Sequence, residues 1–246
     1  MFRDIFIVDW IKIRRSVVWW IMISVPIFIS MIGINNYMSH LDVFKKEGML
    51  GWMGAWTQVE FLYGMMLLPV MISVYVCLLC RFEYLSGGWK QMFSYPISWT
   101  DIYVSKLLWS MILIVLTNVA MLVVFLLLGI MWGVQGEIPW LTFLTMMING
   151  WIATVPLIAI QLWISTQWDN FSIPIILNFI FVIPNIFISN TKIGAFFPWS
   201  QPVYAMTPVD RLEYVQPLSY FYVALLVTFL IFFLGGLWKF KRSEIR

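Results

Sequence analysis

Residues Arg81–Lys106 read RFEYLSGGWKQMFSYPISWTDIYVSK, a polar segment set between two long apolar runs. The segment carries Arg81, Glu83, Lys90, Asp101 and Lys106, the adjacent pair Gly87 and Gly88, Pro96 and several aromatic rings. A connection between two membrane spans needs only to turn. This one has the material for a short surface helix that offers a face to a soluble partner. Phe82, Leu85, Trp89, Met92 and Phe93 fall near helical spacing and form the expected ridge. Arg81, Glu83 and Lys90 frame it with charges. Gly87 and Gly88 allow another backbone to approach closely, and Pro96 sets the direction of exit. The plainer alternative is a surface loop whose rings dip into lipid.

The flanking runs decide the class. The chain is 62% hydrophobic and 11% charged. A soluble domain has roughly 25% charged residues, so this one lacks the polar surface to face water on all sides. Six apolar runs follow one another: Val17–Ile34, Phe61–Cys80, Leu107–Trp132, Ile138–Ile164, Ile173–Ile188 and Leu218–Trp238. A helix crosses the hydrocarbon core in about 20 residues. The fifth run is short and holds Pro174 and Pro184, and apolar Ile193–Trp199 returns after a brief polar break. That order marks an outer re-entrant region between spans five and six, allowed only where protein shelters its backbone. The expected fold is an all-α integral membrane protein of six transmembrane helices, forming one domain over residues 1–246.

Charge gives the expected orientation. With the N-terminus inside, the inner segments hold Arg3, Lys12, Arg14, Arg15, Arg81, Lys90, Lys106, Lys239, Lys241, Arg242 and Arg246. The outer ones hold Lys45, Lys46, Lys192 and Arg211, and the acids divide evenly. A bias in the bases alone is the positive-inside pattern, which places both termini in the cytoplasm. The first apolar run is too long for a signal-peptide core, and no small-residue cleavage site follows it. Ahead of it, Phe2, Ile5, Phe6, Trp10, Ile13 and Val17 recur at spacings of three or four, with Arg3, Lys12 and Arg14 on other faces. This pattern predicts an N-terminal interfacial helix; a basic flank that merely anchors the first span is the alternative.

The residues give no sign of an enzyme. There is no phosphate-cradling G-x-x-x-x-G-K-[ST] motif and no G-x-S-x-G elbow. His40 is the one histidine, so Cys77 and Cys80 have no partners for a zinc site. No catalytic residue, metal site or bound cofactor is expected in this chain. Nor does any span carry a charge near its centre, as ion-coupled transport would require. If the protein transports, its energy comes from another subunit.

The spans instead hold uncharged amides: Asn118, Asn149, Gln161, Asn178 and Asn185. An amide in hydrocarbon must find a partner. These five either tie helices together or line a translocation path. Glu60 opens the second span at its outer boundary, as an anchor or as a contact for a cationic substrate.

The layout resembles the permease subunits of ABC-2 type transporters. The motif that carries the resemblance is Glu83, three residues, Gly87-Gly88-Trp89-Lys90, then Pro96 and Lys106, similar to that family's E-x-x-x-G-x-x-K … P … K segment. The piece Pro198-Trp199-Ser200-Gln201-Pro202 is a weaker echo. The resemblance implies that the loop is a cytoplasmic coupling helix that docks on a dimer of ATP-binding subunits, with Arg81, Phe82, Glu83, Leu85, Gly87, Gly88, Trp89, Lys90 and Pro96 as coupling residues. ATP and Mg would then sit on that partner, and a second permease, identical or paralogous, would complete the complex in a bacterial plasma membrane. Small size and the lack of a large outer domain look most like the permeases of lantibiotic immunity and bacitracin resistance, implying export of a membrane-active peptide. Export of another substrate (a drug, a lipid or a cation) stays open, as does a non-transporting scaffold that docks a soluble partner.

Overall fold

The computed structural model describes residues 2–85, 89, 97–189, 191, 193–207 and 218–242. Every regular element among them is helical. The order is α1 (Phe2–Ile13), α2 (Val18–Ser39), α3 (Leu41–Lys46), α4 (Trp52–Leu62), a π-helical turn (Tyr63–Leu67), α5 (Leu68–Leu85), α6 (Trp99–Met131), α7 (Trp140–Ser165), α8 (Ser172–Ile188), a 3-10 turn (Gly194–Phe196), α9 (Gln201–Met206) and α10 (Leu218–Arg242).

Among the described residues, five helices are long and apolar enough to cross a membrane. They are α2, the continuous rod α4–π–α5, α6, α7 and α10, of 22, 34, 33, 26 and 25 residues. The remaining apolar helix, α8, has 17 residues. Two expected boundaries move. The second rod begins at Trp52 rather than Phe61, because polar Thr57, Gln58 and Glu60 find partners within the bundle: Gly54 O, Asn36 and Thr207. The third helix begins at Trp99 rather than Leu107. Arg81–Leu85 and Trp99–Lys106 are therefore the ends of long rods and not parts of a separate surface helix, and the rest of the expected helix falls on the residues between them. Of these, Gly87, Gly88, Lys90, Met92, Phe93 and Pro96 lie outside the described residues.

Helix ends follow local chemistry. At the end of α6 the chain reverses through Gly133, at φ +74°. Val134 N–H returns to Gly129 O at 2.9 Å and Gly133 N–H to Ile130 O at 3.1 Å, the paired bonds of a Schellman stop that a glycine in the left-handed region permits. Gly48 closes α3 by the same device, with Met49 N–H on Phe44 O at 2.8 Å.

The bundle has two distinct ends. One gathers α1, the close of α5, the start of α6, the α7–α8 turn and the close of α10: Tyr84 donates to Thr166 O at 3.0 Å, and Tyr103 packs on Phe240 at 5.5 Å. Arg3, Lys12, Arg14, Arg15, Arg81, Lys106, Lys239, Lys241 and Arg242 lie at this end. The other end gathers α3, the start of α4, the α6–α7 turn and α9. There Trp52 donates to Gly136 O at 3.1 Å and Trp56 to Met206 O at 3.4 Å. Trp56, Phe125 and Phe143 meet edge to face at 5.3 to 5.7 Å and fill the core of this half.

Residues 193–207 fold back against the bundle. Gln201, Pro202, Val203 and Met206 are buried. Val203 sits on the π-helical turn, where a Cβ added to Gly64 would stand 3.2 Å from its Cα.

Candidate functional site

The charged end holds a buried ion cluster. Lys106, on α6, is 1% exposed, and its Nζ lies 2.9 Å from Glu83 Oε1 and 3.1 Å from Asp9 Oδ1. Lys12 donates to both oxygens of Glu83 at 2.8 Å. Ser105 donates to Asp9 Oδ2 at 2.7 Å. Two acids and two bases thus join α1, α5 and α6. An isolated ion in so dry a place would cost several kcal/mol, and each is held only because its partners are in place. The face of Trp89 completes the cage, 5.6 Å from Lys106 Nζ.

An aromatic wall closes the cluster from below. Trp89 packs on Tyr84 at 5.7 Å and on Phe240 at 5.3 Å, and Trp99 meets Phe240 at 5.6 Å. α1 is fastened separately: Trp109 donates to Phe6 O at 3.0 Å and stacks on Phe6 at 4.6 Å and on Trp10 at 5.5 Å.

The cluster redistributes the expected coupling residues. Glu83 and Lys106, the two ends of the sequence motif, bond to each other. Glu83 and Trp89 were expected at the surface, framing and forming a docking ridge; both are buried, Glu83 compensated by two ammonium partners and Trp89 with its ring face over Lys106. Leu85 is 72% exposed. Arg81 is exposed as well and lies over the Phe171 ring at 5.2 Å. Phe82 is half-buried.

Asp9 and Ser105 belong to the site and were not picked out from the sequence. A signal existed for Asp9. Ile5, Asp9 and Ile13 form the stripe that α1 buries, so a carboxylate stands in an apolar row at spacing four. The stripe also differs from the expected one, since Phe2, Trp10 and Val17 remain exposed.

The amides act as ties. Asn185 Nδ2 donates to Met65 O at 2.8 Å and Trp199 O at 3.1 Å, and its Oδ1 accepts from Ser200 at 2.5 Å. Pro69 has no N–H to return to Met65 at α-helical spacing, so the amide serves a carbonyl that the rod itself serves poorly. Asn178 donates to Pro69 O at 3.1 Å and accepts from Trp199 Nε1 at 2.8 Å. Gln161 donates to Ser73 at 2.7 Å and Pro174 O at 3.0 Å. Asn118 accepts from Tyr63 at 2.5 Å, and Asn149, half-buried, from Tyr222 at 3.2 Å. Glu60 differs from all five: it is 4% exposed, accepts from Thr207, and lines a cavity of about 380 Å³ at the end opposite the bases.

A family model described as ABC-2 family transporter protein matches residues 5–185, from within α1 through most of α8. No curated protein and no solved structure matches the chain.

Proposed function

The chain belongs to the ABC-2 family of transporter proteins, a multi-pass membrane family, and from that premise we propose that it is the permease subunit of an ATP-driven exporter. A separate pair of ATP-binding subunits supplies hydrolysis and holds ATP and Mg; this chain lacks the phosphate cradle to do so. A second permease, identical or paralogous, completes the complex. The charged end faces the cytoplasm of a bacterium, where its bases satisfy the positive-inside rule.

The observation that carries the reading is the buried ion cluster. A docking partner needs two things at the join of α5 and α6: an exposed foothold and a rigid link to the spans. Leu85 and Arg81 supply the foothold, in a segment whose Gly87, Gly88, Lys90 and Pro96 the motif resemblance also assigns to coupling. Glu83 and Lys106 supply the link. Because Lys106 holds Asp9 as well, a push on the segment moves α1, α5 and α6 together instead of bending one loop. Such a push, delivered when nucleotide closes the ATP-binding pair, would rearrange the rods and open a path toward the opposite end.

The substrate we favour is a membrane-active amphipathic peptide of the lantibiotic kind, expelled for immunity or resistance. Walls rich in Phe, Trp and Met suit its apolar surface, and Glu47 and Glu60 at the far end suit its cations. The test is co-purification of the tagged chain with its ATP-binding subunit, followed by hydrolysis with and without a cationic peptide such as nisin. The expected result is a stable complex whose hydrolysis the peptide stimulates, and a Leu85→Asp variant that inserts but no longer retains the ATPase. A chain that purifies without any nucleotide-hydrolysing companion would overturn the proposal.

A further inference from the structure

A cavity of about 780 Å³ opens between α2 and α4 at the end opposite the bases, a size that suits a small-molecule site. Its lining on α2 is one continuous stripe. Phe28, Met31 and Ile32 come first, then Asn35 and Asn36, then Ser39 and His40, at the spacings of three and four that share a helix face. Leu62 of α4 and Trp132 at the close of α6 complete the wall. Gln58 belongs to the polar rim, where Asn36 donates to it at 2.7 Å. Gly33 lets α2 touch α4 beside the chamber, since an added Cβ would stand 2.9 Å from Val59 N.

We propose that this chamber holds one membrane lipid with a sugar head, its acyl chain against Phe28, Met31, Ile32 and Trp132 and its hydroxyls on the amide rim. Depth chooses a lipid. From Phe28 to Ser39 α2 rises about 16 Å, close to half of a hydrocarbon core of about 30 Å. The stripe therefore runs from headgroup level to the middle of the bilayer, as a lipid of one leaflet does. Exposure agrees. Phe28, Met31, Ile32, Asn35, Asn36 and Ser39 all face the surroundings of the bundle, so a lipid enters sideways without passing through the protein. The rim chooses the head. Its amides and hydroxyl both donate and accept hydrogen bonds, and so does each hydroxyl of a sugar, whereas phosphocholine only accepts. His40 donates from Nδ1 to Asn36 O at 2.9 Å, which leaves Nε2 as a further acceptor in the neutral ring. Neither nucleotide nor cargo takes part, so this lipid site stands apart from the export reading.

The test uses the purified chain in detergent, supplied with equal amounts of monoglucosyl diacylglycerol and phosphatidylcholine of the same acyl chains. Native mass spectrometry reads which lipid stays bound. Wild type should retain the glucosyl lipid about sevenfold over phosphatidylcholine, the effect of two hydrogen bonds at the membrane-protein average. Asn35→Leu with Ser39→Ala, two exposed changes that leave the bond between Asn36 and Gln58 in place, should bring the two lipids to parity. Met31→Trp, which fills the apolar part from an exposed position, should release the glucosyl lipid. Equal retention of the two lipids by wild type would overturn the site, as would a preference unchanged in the rim pair or full retention by Met31→Trp. The rival occupant is a second copy of the chain. Cys77 and Cys80 are buried, so an Asn35→Cys variant reports on that rival with little background. Oxidation in native membranes should leave it monomeric; a disulfide-linked dimer would give the chamber to the second copy. Loss of lipid binding leaves the export reading standing, while intact binding without peptide-stimulated hydrolysis sinks that reading alone.

Discussion

At Lys106 an ammonium group sits between Asp9 and Glu83 with almost no access to water, and the arrangement is sensitive to which partner is removed. Lys106→Met leaves Asp9 on the Ser105 hydroxyl and Glu83 on Lys12. Breaking a buried ion pair from one side costs about 3–5 kcal/mol, so the midpoint of heat-induced unfolding in detergent should fall well below that of wild type. Lys12, whose side chain is 27% exposed, can be replaced more cheaply because water reaches what it leaves behind. The double variant Lys106→Met with Asp9→Asn should lose less than the sum of the single losses, since the second change removes a charge the first stranded. A simple sum would mean that the two residues do not interact. Glu83 and Lys106 were legible in the sequence as polar ends of apolar runs. Their mutual bond was not, because it depends on two rods packing side by side across 23 positions. Asp9 escaped notice because charge on a basic approach segment reads as solvated until its stripe partners, Ile5 and Ile13, are seen to be buried.

Among the elements, the rod α4–π–α5 departs furthest from what its residues announce. No residue pattern specifies a π-helical turn; it forms where tertiary partners stabilise a slipped register, often near functional positions. The sequence announced the amides and their need for partners. It did not announce that those partners are the carbonyls of Met65 and Pro69, beside that slip. Two substitutions separate tie from bystander. Asn185→Leu removes donors from Met65 O and Trp199 O and an acceptor from Ser200. At about 0.6 kcal/mol per bond in a membrane protein, the loss should reach about 1–2 kcal/mol and appear as a lower unfolding midpoint. Asn149→Leu removes one longer, half-exposed bond to Tyr222 and should barely move it. Equal effects would show that the fold-back of residues 193–207 is held by packing alone, through contacts such as Gly64 with Val203.

For the whole molecule the decisive quantity is which end faces the cytoplasm. Six apolar runs and a bias in the bases were readable from composition and order, because the hydrocarbon core imposes a length and the membrane field a sign. Among the described residues five helices are long enough to span and a sixth apolar helix is shorter, and most of the described bases gather at one end, Lys45 and Lys46 of α3 lying at the other. Cysteine labelling decides the orientation with little background, since Cys77 and Cys80 are both buried. Val43, on α3, and Asp169, in the α7–α8 turn, are exposed at opposite ends. In intact cells a membrane-impermeant maleimide should label Val43→Cys. Asp169→Cys should react only after the membrane is opened. The reverse pattern would put Leu85, Arg81 and the ion cluster outside, beyond reach of any nucleotide-driven partner, and would turn the cavity at Glu60 inward. The two ends carry opposite chemistry, so one labelling experiment tests the coupling reading and the exit-side reading together, and both must stand or fall with the sign of the bundle.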